Sequence, residues 1–286
     1  MRSTFTIRVP ASTSNLGPGF DCLGIALQLY NDVTVVRGRS VRVTPMMHES
    51  GQRFFEAAAV VPFKFSVSIT GDVPPSRGLG SSVTVRLGVM HALNELTERK
   101  LTRAQLFELC AGLEGHPDNA APAEFGGFTV ARDLECQQFS VSARLHFVLL
   151  VPDFEIATAQ ARRVLPSRIT RLDAVKSCGN ACAITAAFAS REYRKLRGAF
   201  VDGLHQPFRR KLIPFLDRTI AAGEAAGALG GFLSGSGSTI ACVTLRSPEK
   251  VARAMLEAAG GTRARTIITK ADNQGTRVLS IRAPTG

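Results

Sequence analysis

The apolar positions change period along the chain. Residues 4–10 alternate as a strand with one buried face does, and 25–36 read as a second strand region, with a long glycine-rich polar loop at 12–24 between them. Alternation returns at 41–43 and 65–69, separated by a short alanine-rich piece at 54–61. From 81 to 96 the period becomes helical. Val83, Leu87, Met90 and Leu93 share one stripe, and Val85, Val89 and Leu96 make a second, so this helix is apolar on two sides and is expected to be buried. Thr102 with Gln105 forms a capping box that opens an amphipathic helix through Leu106, Leu109, Cys110 and Leu113, which Gly115 ends.

A loop at 115–127 leads to strands at 128–131 and 145–151, the latter a continuous apolar run of the kind buried on both faces. Helical patterns follow at 173–189, 193–204, 216–226 and 248–259, with a strand at 240–245 and a final strand pair. The pattern predicts an α+β chain in two parts, the first mostly sheet up to residue 71 and the second helices on a small antiparallel sheet. Pro152 closes the first part, which places the division at 1–153 and 154–286.

Composition narrows the function. At 286 residues and 45% hydrophobic, the chain can bury a substantial core. No run of eighteen apolar residues appears, and the N-terminus lacks the apolar centre of a secretory signal, so we expect a cytoplasmic protein with no membrane partner. The six cysteines never form Cys-x-x-Cys and read as reduced buried thiols. Neither His-Glu-x-x-His nor Gly-x-Ser-x-Gly occurs, which argues against zinc hydrolases and serine hydrolases. The net charge of +12 favours anionic partners. Nucleic acid is not expected among them, because the arginines are spread along the chain and only two tyrosines and no tryptophan are available to stack on bases.

The strongest local signal is Pro-Pro-Ser-Arg-Gly-Leu-Gly-Ser-Ser at 74–82, running straight into the buried helix. Glycines let backbone N–H groups turn toward one point, and the free amides and positive dipole end of a helix favour an anion there. It is not a Walker A loop, since no Gly-Lys-Ser/Thr follows. Alone, the stretch reads equally well as a tight strand-to-helix turn with a serine cap.

Two further segments bear on that choice: Pro-Ala-Ser-Thr-Ser-Asn-Leu-Gly-Pro-Gly-Phe-Asp at 10–21, and Leu-Ser-Gly-Ser-Gly-Ser-Thr at 233–239. In this order and at these separations the three resemble the motifs of the GHMP kinase family. Glu-Gly-His-Pro-Asp-Asn-Ala-Ala-Pro at 114–122, followed by Gly126-Gly127, is similar to the branch of that family that phosphorylates homoserine. So are 163–166, 173–175 and 202–209, and the likeness covers nearly the whole chain.

The resemblance implies a two-domain α+β fold, an N-terminal domain like ribosomal protein S5 domain 2 that binds nucleotide and a ferredoxin-like C-terminal domain. It implies transfer of the γ-phosphoryl group of ATP, with Mg²⁺, to the side-chain hydroxyl of L-homoserine in threonine biosynthesis, and homodimerisation. Carried over by position, Pro75, Arg77, Gly78, Leu79, Gly80, Ser81 and Ser82 would hold the nucleotide, and Ser82 with Glu108 the magnesium ion. Glu108 lies off the apolar stripe of its helix, beside Ala104, Ala111 and Gly112, although an ordinary solvated glutamate would sit there too.

Asn15, Asp21, His116, Asp118 and Arg209 would surround the substrate, Asp21 suiting its ammonium and an arginine fork its carboxylate. Asn15 and Asp21 would equally serve to brace a glycine-rich turn. Asn119 stands where some family members carry a catalytic aspartate. An amide cannot take a proton, so the resemblance implies direct in-line attack with Asn119 orienting the hydroxyl.

The chain departs from the family pattern in three places. Val83 and Thr84 replace small residues after the second motif, and 31–66 lacks a clear counterpart of the adenine-side asparagine region. Ser177 and Asn180 stand where an asparagine and a substrate-binding arginine are common. Unless Arg209 or another arginine supplies that charge, binding would weaken by roughly 1.5–3 kcal/mol. Two other readings therefore stay open: a GHMP kinase for another small amino alcohol or hydroxy acid, and a catalytically silent ligand-binding protein of this fold.

Overall fold

The computed structural model describes residues 4–38 and 43–282. In chain order the strands are β1 (Thr4–Ser14), β2 (Leu23–Arg37), β3 (Phe65–Gly71), β4 (Phe128–Arg132), β5 (Glu135–Phe139), β6 (His146–Pro152), β7 (Gly230–Leu233), β8 (Ile240–Thr244), β9 (Ala264–Lys270) and β10 (Arg277–Arg282). The helices are α1 (Pro45–Ala57), α2 (Ser81–Leu96), α3 (Arg103–Glu114), α4 (Ala120–Phe125), α5 (Thr158–Arg163), α6 (Arg171–Ala189), α7 (Gln206–Arg209), α8 (Leu216–Ala225) and α9 (Pro248–Ala258).

Among the described residues all strand pairings are antiparallel. The first sheet runs β10-β1-β2-β4-β5, and the long β2 also pairs β3, with Leu23–Ile25 opposite β4 and Asn31–Arg37 opposite β3. The second sheet runs β7-β8-β6-β9, which with α6 and α8 between β6 and β7 and α9 between β8 and β9 is the split βαβ arrangement of a ferredoxin-like domain.

Three packed clusters explain why these residues form these layers. Apolar β1 and β2 positions such as Ile7, Val9, Val33 and Val35 pack on α1, α2 and α3. Helix α2 is buried as its two stripes predicted, and Gly88 lets it lie directly on Val33 of β2. A middle cluster joins the halves. Leu23, Ile25, Leu27 and Phe128 of the first sheet meet Phe147 and Leu149 of β6, Val243 of β8 and Phe188 of α6, with the Phe128 and Phe188 rings stacked at 4.4 Å. Val148 and Leu150 point the other way, into a third cluster with α8 and α9. Strand β6 is thus buried on both faces, as its unbroken apolar run implied.

Several expectations need correction. The strand expected at 145–151 as the end of the first part is β6, and it belongs to the second sheet, paired with β8 and β9. The final two strands do not pair, because β9 lies beside β6 and β10 returns to β1. The alanine-rich piece is the end of α1, a helix opened by Thr44 and Pro45. The loop at 115–127 contains α4. The helix expected at 193–204 reduces to a 3-10 turn, Tyr193–Leu196. Of the strand expected at 41–43, residues 41 and 42 lie outside the described residues and Val43 is not in a strand. Strands β5 and β7 and helix α5 were not anticipated; each has six residues or fewer and leaves little room for a period to show. Among the described residues no helix is long and apolar enough to cross a membrane.

Candidate active site

The three glycine-rich segments converge through their backbones. The carbonyls of Arg77, Gly78 and Leu79 accept from the Thr239 N–H at 3.2 Å, the Ser234 hydroxyl at 2.6 Å and the Ser12 N–H at 3.2 Å. These three successive carbonyls of the central loop are therefore each held by one of the two flanking motifs. Gly78 (φ +73°) and Gly80 (φ +66°) sit in the left-handed region, and a Cβ at either would lie 2.2 Å from Ser234 O or Ser12 Oγ. Within the described residues no backbone N–H of Ser81, Ser82 or Val83 donates, so the first turn of α2 faces the cavity with its amides free.

That cavity, of 390 Å³, brings together most of the expected site: Asn15, Asp21, Pro75, Arg77, Gly78, Gly80, Ser81, Ser82, His116, Asp118, Asn119 and Arg209. Leu79 does not reach it; its side chain is core and only its carbonyl ties the loop. A larger groove of 620 Å³ beside Val61 and Phe63 contains none of the motif residues.

Glu108 is the clear misplacement. It is exposed on α3 and does not line the cavity. The carboxylate next to Ser82 is Glu114, at the end of the same helix, whose Oε2 accepts from Ser82 Oγ and whose Oε1 accepts from Arg86 Nε, both at 2.8 Å. The physical reason is rotation along the helix: Glu108 and Glu114 are six residues apart, about 600° or 240° beyond a full turn. Only the face carrying Glu114 meets α2. The pair Ser82 and Glu114, a hydroxyl and a largely buried carboxylate beside free helix amides, is a hard-oxygen donor set that suits Mg²⁺.

At the other end of the cavity the acidic and basic groups are arranged in pairs. Asp21 receives a bidentate fork from Arg162, Nη1 to Oδ2 at 3.0 Å and Nη2 to Oδ1 at 2.8 Å. His116 Nδ1 lies 2.6 Å from Asp118 Oδ1. Burial disfavours the His116 imidazolium, but the hydrogen bond and charge of Asp118, with the charge of Asp21, outweigh it and raise the pKa above 6.5. Asn15 has both amide ends engaged, Oδ1 accepting from the Asp21 N–H and Nδ2 donating to Gly235 O, so it braces the loop that carries Asp21, itself at φ +58°. Asn119 is likewise fixed: Ser12 Oγ donates to its Oδ1 and its Nδ2 donates to Ser14 Oγ, each at 2.9 Å.

Arg209 is buried, its Nε bonded to Ala161 O and its Nη1 to Gly235 O, with no carboxylate partner for its Nη2 among the described residues. Burial and the nearby Arg162 charge lower its pKa to about 10, so it remains a cation at neutral pH. Beneath it His205 Nε2 donates to Gly17 O and Nδ1 faces Arg209 Nη1 at 3.2 Å. Burial pushes His205 down to about 4, which keeps it neutral and able to accept from the guanidinium. Asp202 caps this turn by accepting from the backbone N–H groups of Leu204, His205 and Gln206. Sequence pattern alone does not single out Glu114, Arg86, Arg162 and His205 as site residues. The first and last lie inside the family-like segments 114–122 and 202–209, whereas nothing in spacing marks Arg86 or Arg162.

Asn180 does not line the cavity; its amide donates to Val201 O.

Comparison with known proteins places this arrangement. Residues 46–127 match the GHMP kinases N terminal domain, and 184–261 match the GHMP kinases C terminal domain. A homoserine kinase of Caldicellulosiruptor bescii is 35% identical, with 97% of this chain and 98% of that protein covered. One of Desulfitobacterium hafniense is also 35% identical, covering 96% and 99%. The crystal structure of a homoserine kinase from Cytophaga hutchinsonii superposes with a TM-score of 0.89 at 25% identity, over 98% of both chains. A Methanococcus jannaschii mevalonate kinase shares the fold at a TM-score of 0.69 and 14% identity, over 97% of this chain and 99% of that one. The chain belongs to the GHMP kinase family.

Proposed function

We propose that this protein is a homoserine kinase, transferring the γ-phosphoryl group of ATP to the side-chain hydroxyl of L-homoserine. The observation that carries the reading is one cavity holding an amide-lined helix terminus at one end and, at the other, acids and arginines able to take an amino acid's two charged groups. Full-length similarity to homoserine kinases supports the same substrate. The work belongs to threonine biosynthesis.

Binding follows from the groups present. The free amides of α2 and the loop before it hold the phosphates, Arg77 and Ser81 at their edge. Ser82 and Glu114 would hold Mg²⁺, which when bound neutralises charge on the phosphates. Arg86 supports Glu114 from behind and is itself paired with Glu49 at 2.8 Å. Asp21, with Asp118 and His116 beside it, takes the substrate ammonium, and Arg209 offers its free Nη2 to the carboxylate.

No cavity carboxylate among the described residues is left unpaired to act as a base: Asp21 is held by Arg162, Asp118 by His116, and Glu114 by Ser82 and Arg86. The hydroxyl therefore attacks in line, oriented by the Asn119 amide that Ser12 and Ser14 hold, and its proton passes to the transferred phosphate or to water.

The test is ADP release by purified protein with Mg²⁺-ATP and L-homoserine, L-threonine, L-serine or mevalonate. Strong stimulation by L-homoserine alone is expected; stimulation by another alcohol would reassign the substrate, and none by any would point to a silent binding protein. Asn119→Asp should lower kcat on the order of tenfold or more and alter the pH profile, because the Nδ2 donor to Ser14 is lost and a titrating group is gained. Full activity with an unchanged profile would remove the orienting role.

A further inference from the structure

Arg162 is given no contact with substrate above, yet it lines the same cavity and holds the carboxylate that the substrate ammonium must reach. It comes from α5, whose first residue Thr158, with Ala157 before it, also borders the cavity. Both partners of the Asp21–Arg162 pair are about one-third exposed, 35% and 38%, so the pair can open by side-chain rotation without disturbing the core. Arg162 lies against the Phe20 ring at 5.5 Å, and Arg209 lies against the same ring at 5.2 Å. The two guanidiniums thus flank one aromatic side chain beside one carboxylate.

We propose that the Asp21–Arg162 pair is exchanged for the substrate: Asp21 takes the ammonium, and Arg162 swings to join Arg209 on the carboxylate. The proposal rests on the amino-acid substrate of the preceding subsection and makes Arg162 a determinant of specificity. The reason is charge balance. A ligand with an ammonium alone displaces Arg162 from Asp21 and leaves that guanidinium with no anion. A ligand with a carboxylate alone draws Arg162 away and strands Asp21. A zwitterion replaces one ion pair by two, so the resting pair selects for ligands that carry both charges. Leaving a partly desolvated charged group unpaired weakens binding by about 10- to 100-fold.

The experiment compares the wild type with Arg162→Gln using L-homoserine, 3-aminopropan-1-ol, which lacks the carboxylate, and 4-hydroxybutanoate, which lacks the ammonium. Compounds phosphorylated too slowly are titrated as competitive inhibitors of homoserine turnover. In Arg162→Gln the KM for homoserine should rise about 10- to 100-fold with kcat within about threefold, while 3-aminopropan-1-ol binds as well or better because Asp21 is now free. Arg162→Lys should recover part of the homoserine affinity. Unchanged homoserine KM, or equal weakening of homoserine and 3-aminopropan-1-ol, would overturn the exchange and leave Arg162 a structural brace. An unaltered KM for ATP and an unaltered melting temperature guard against misfolding of the variant. If the wild type instead uses another zwitterionic alcohol, the substrate reading fails and the comparison moves to that alcohol and its decarboxylated form. If it uses only a non-zwitterionic alcohol, both fall.

Discussion

Glu114 and Glu108 sit on one helix and differ in what they touch. Glu114 faces Ser82 and Arg86 across to α2, whereas Glu108 faces solvent. Glu114→Gln is expected to lower kcat/KM for Mg²⁺-ATP on the order of 10- to 100-fold, and Glu108→Gln to change it by less than about twofold. Steady-state kinetics at fixed homoserine and varied Mg²⁺ check both, and equal losses would return Glu108 to consideration. The same contrast shows what was legible at this scale. Asn15, Asp21, His116, Asp118, Asn119 and Arg209 could be placed because they lie within contiguous motifs. Glu114 also lies within a motif, yet choosing it over Glu108 needs the helix's rotation about its own axis. Arg162 could not be placed at all, since its role comes from a partner 141 positions away.

At the scale of elements, the junction of the glycine-rich loop with α2 is the most constrained part of the molecule. Gly80→Ala would impose a left-handed backbone at φ +66° on a residue with a Cβ, costing about 1–2 kcal/mol, and would drive that Cβ against Ser12 Oγ and toward Asn119 Oδ1. The expected outcome is a melting temperature a few degrees lower with a larger loss in ATP affinity, measured by thermal unfolding with and without nucleotide. Stabilisation by nucleotide equal to wild type would show that the loop adapts. Helix α2 itself and the capping box at Thr102 were plain in the sequence because they are long, periodic or local. Helix α5 and strands β5 and β7 were not, because each short element is held by its neighbours and carries no period of its own.

For the whole molecule, the buried His205 links stability to pH. Its folded-state value is about 4 against 6.5 unfolded, so between these limits the unfolded chain binds more protons. Its contribution is intact above 6.5 and is lost as pH falls toward 4. Glu124, buried against His91 and Arg103, acts in the same direction at lower pH: burial opposes its charge, but those two partners outweigh it and hold its pKa below 4.5. His116 works the other way, contributing below 6.5 and losing that contribution as pH rises through its raised value. The melting temperature should therefore drop on acidification from 6.5 to 4, and His205→Gln should flatten that drop. An identical slope in the variant would mean that other groups dominate.

The sequence by itself determined the periods of the long elements, the buried character of α2 and β6, and the one loop, 74–82, whose composition suits phosphate, with the two segments whose order and separation complete the family's motifs. These depend on residues near one another in the chain, where spacing translates directly into geometry. Tertiary structure decided which sheet each strand joins, that β10 closes the first sheet while β6 opens the second, and that Ser12, Ser234 and Thr239 tie the loop's carbonyls. It also decided which glutamate meets Ser82 and which arginine meets Asp21. Such choices depend on contacts between distant segments, whose energies local pattern does not encode.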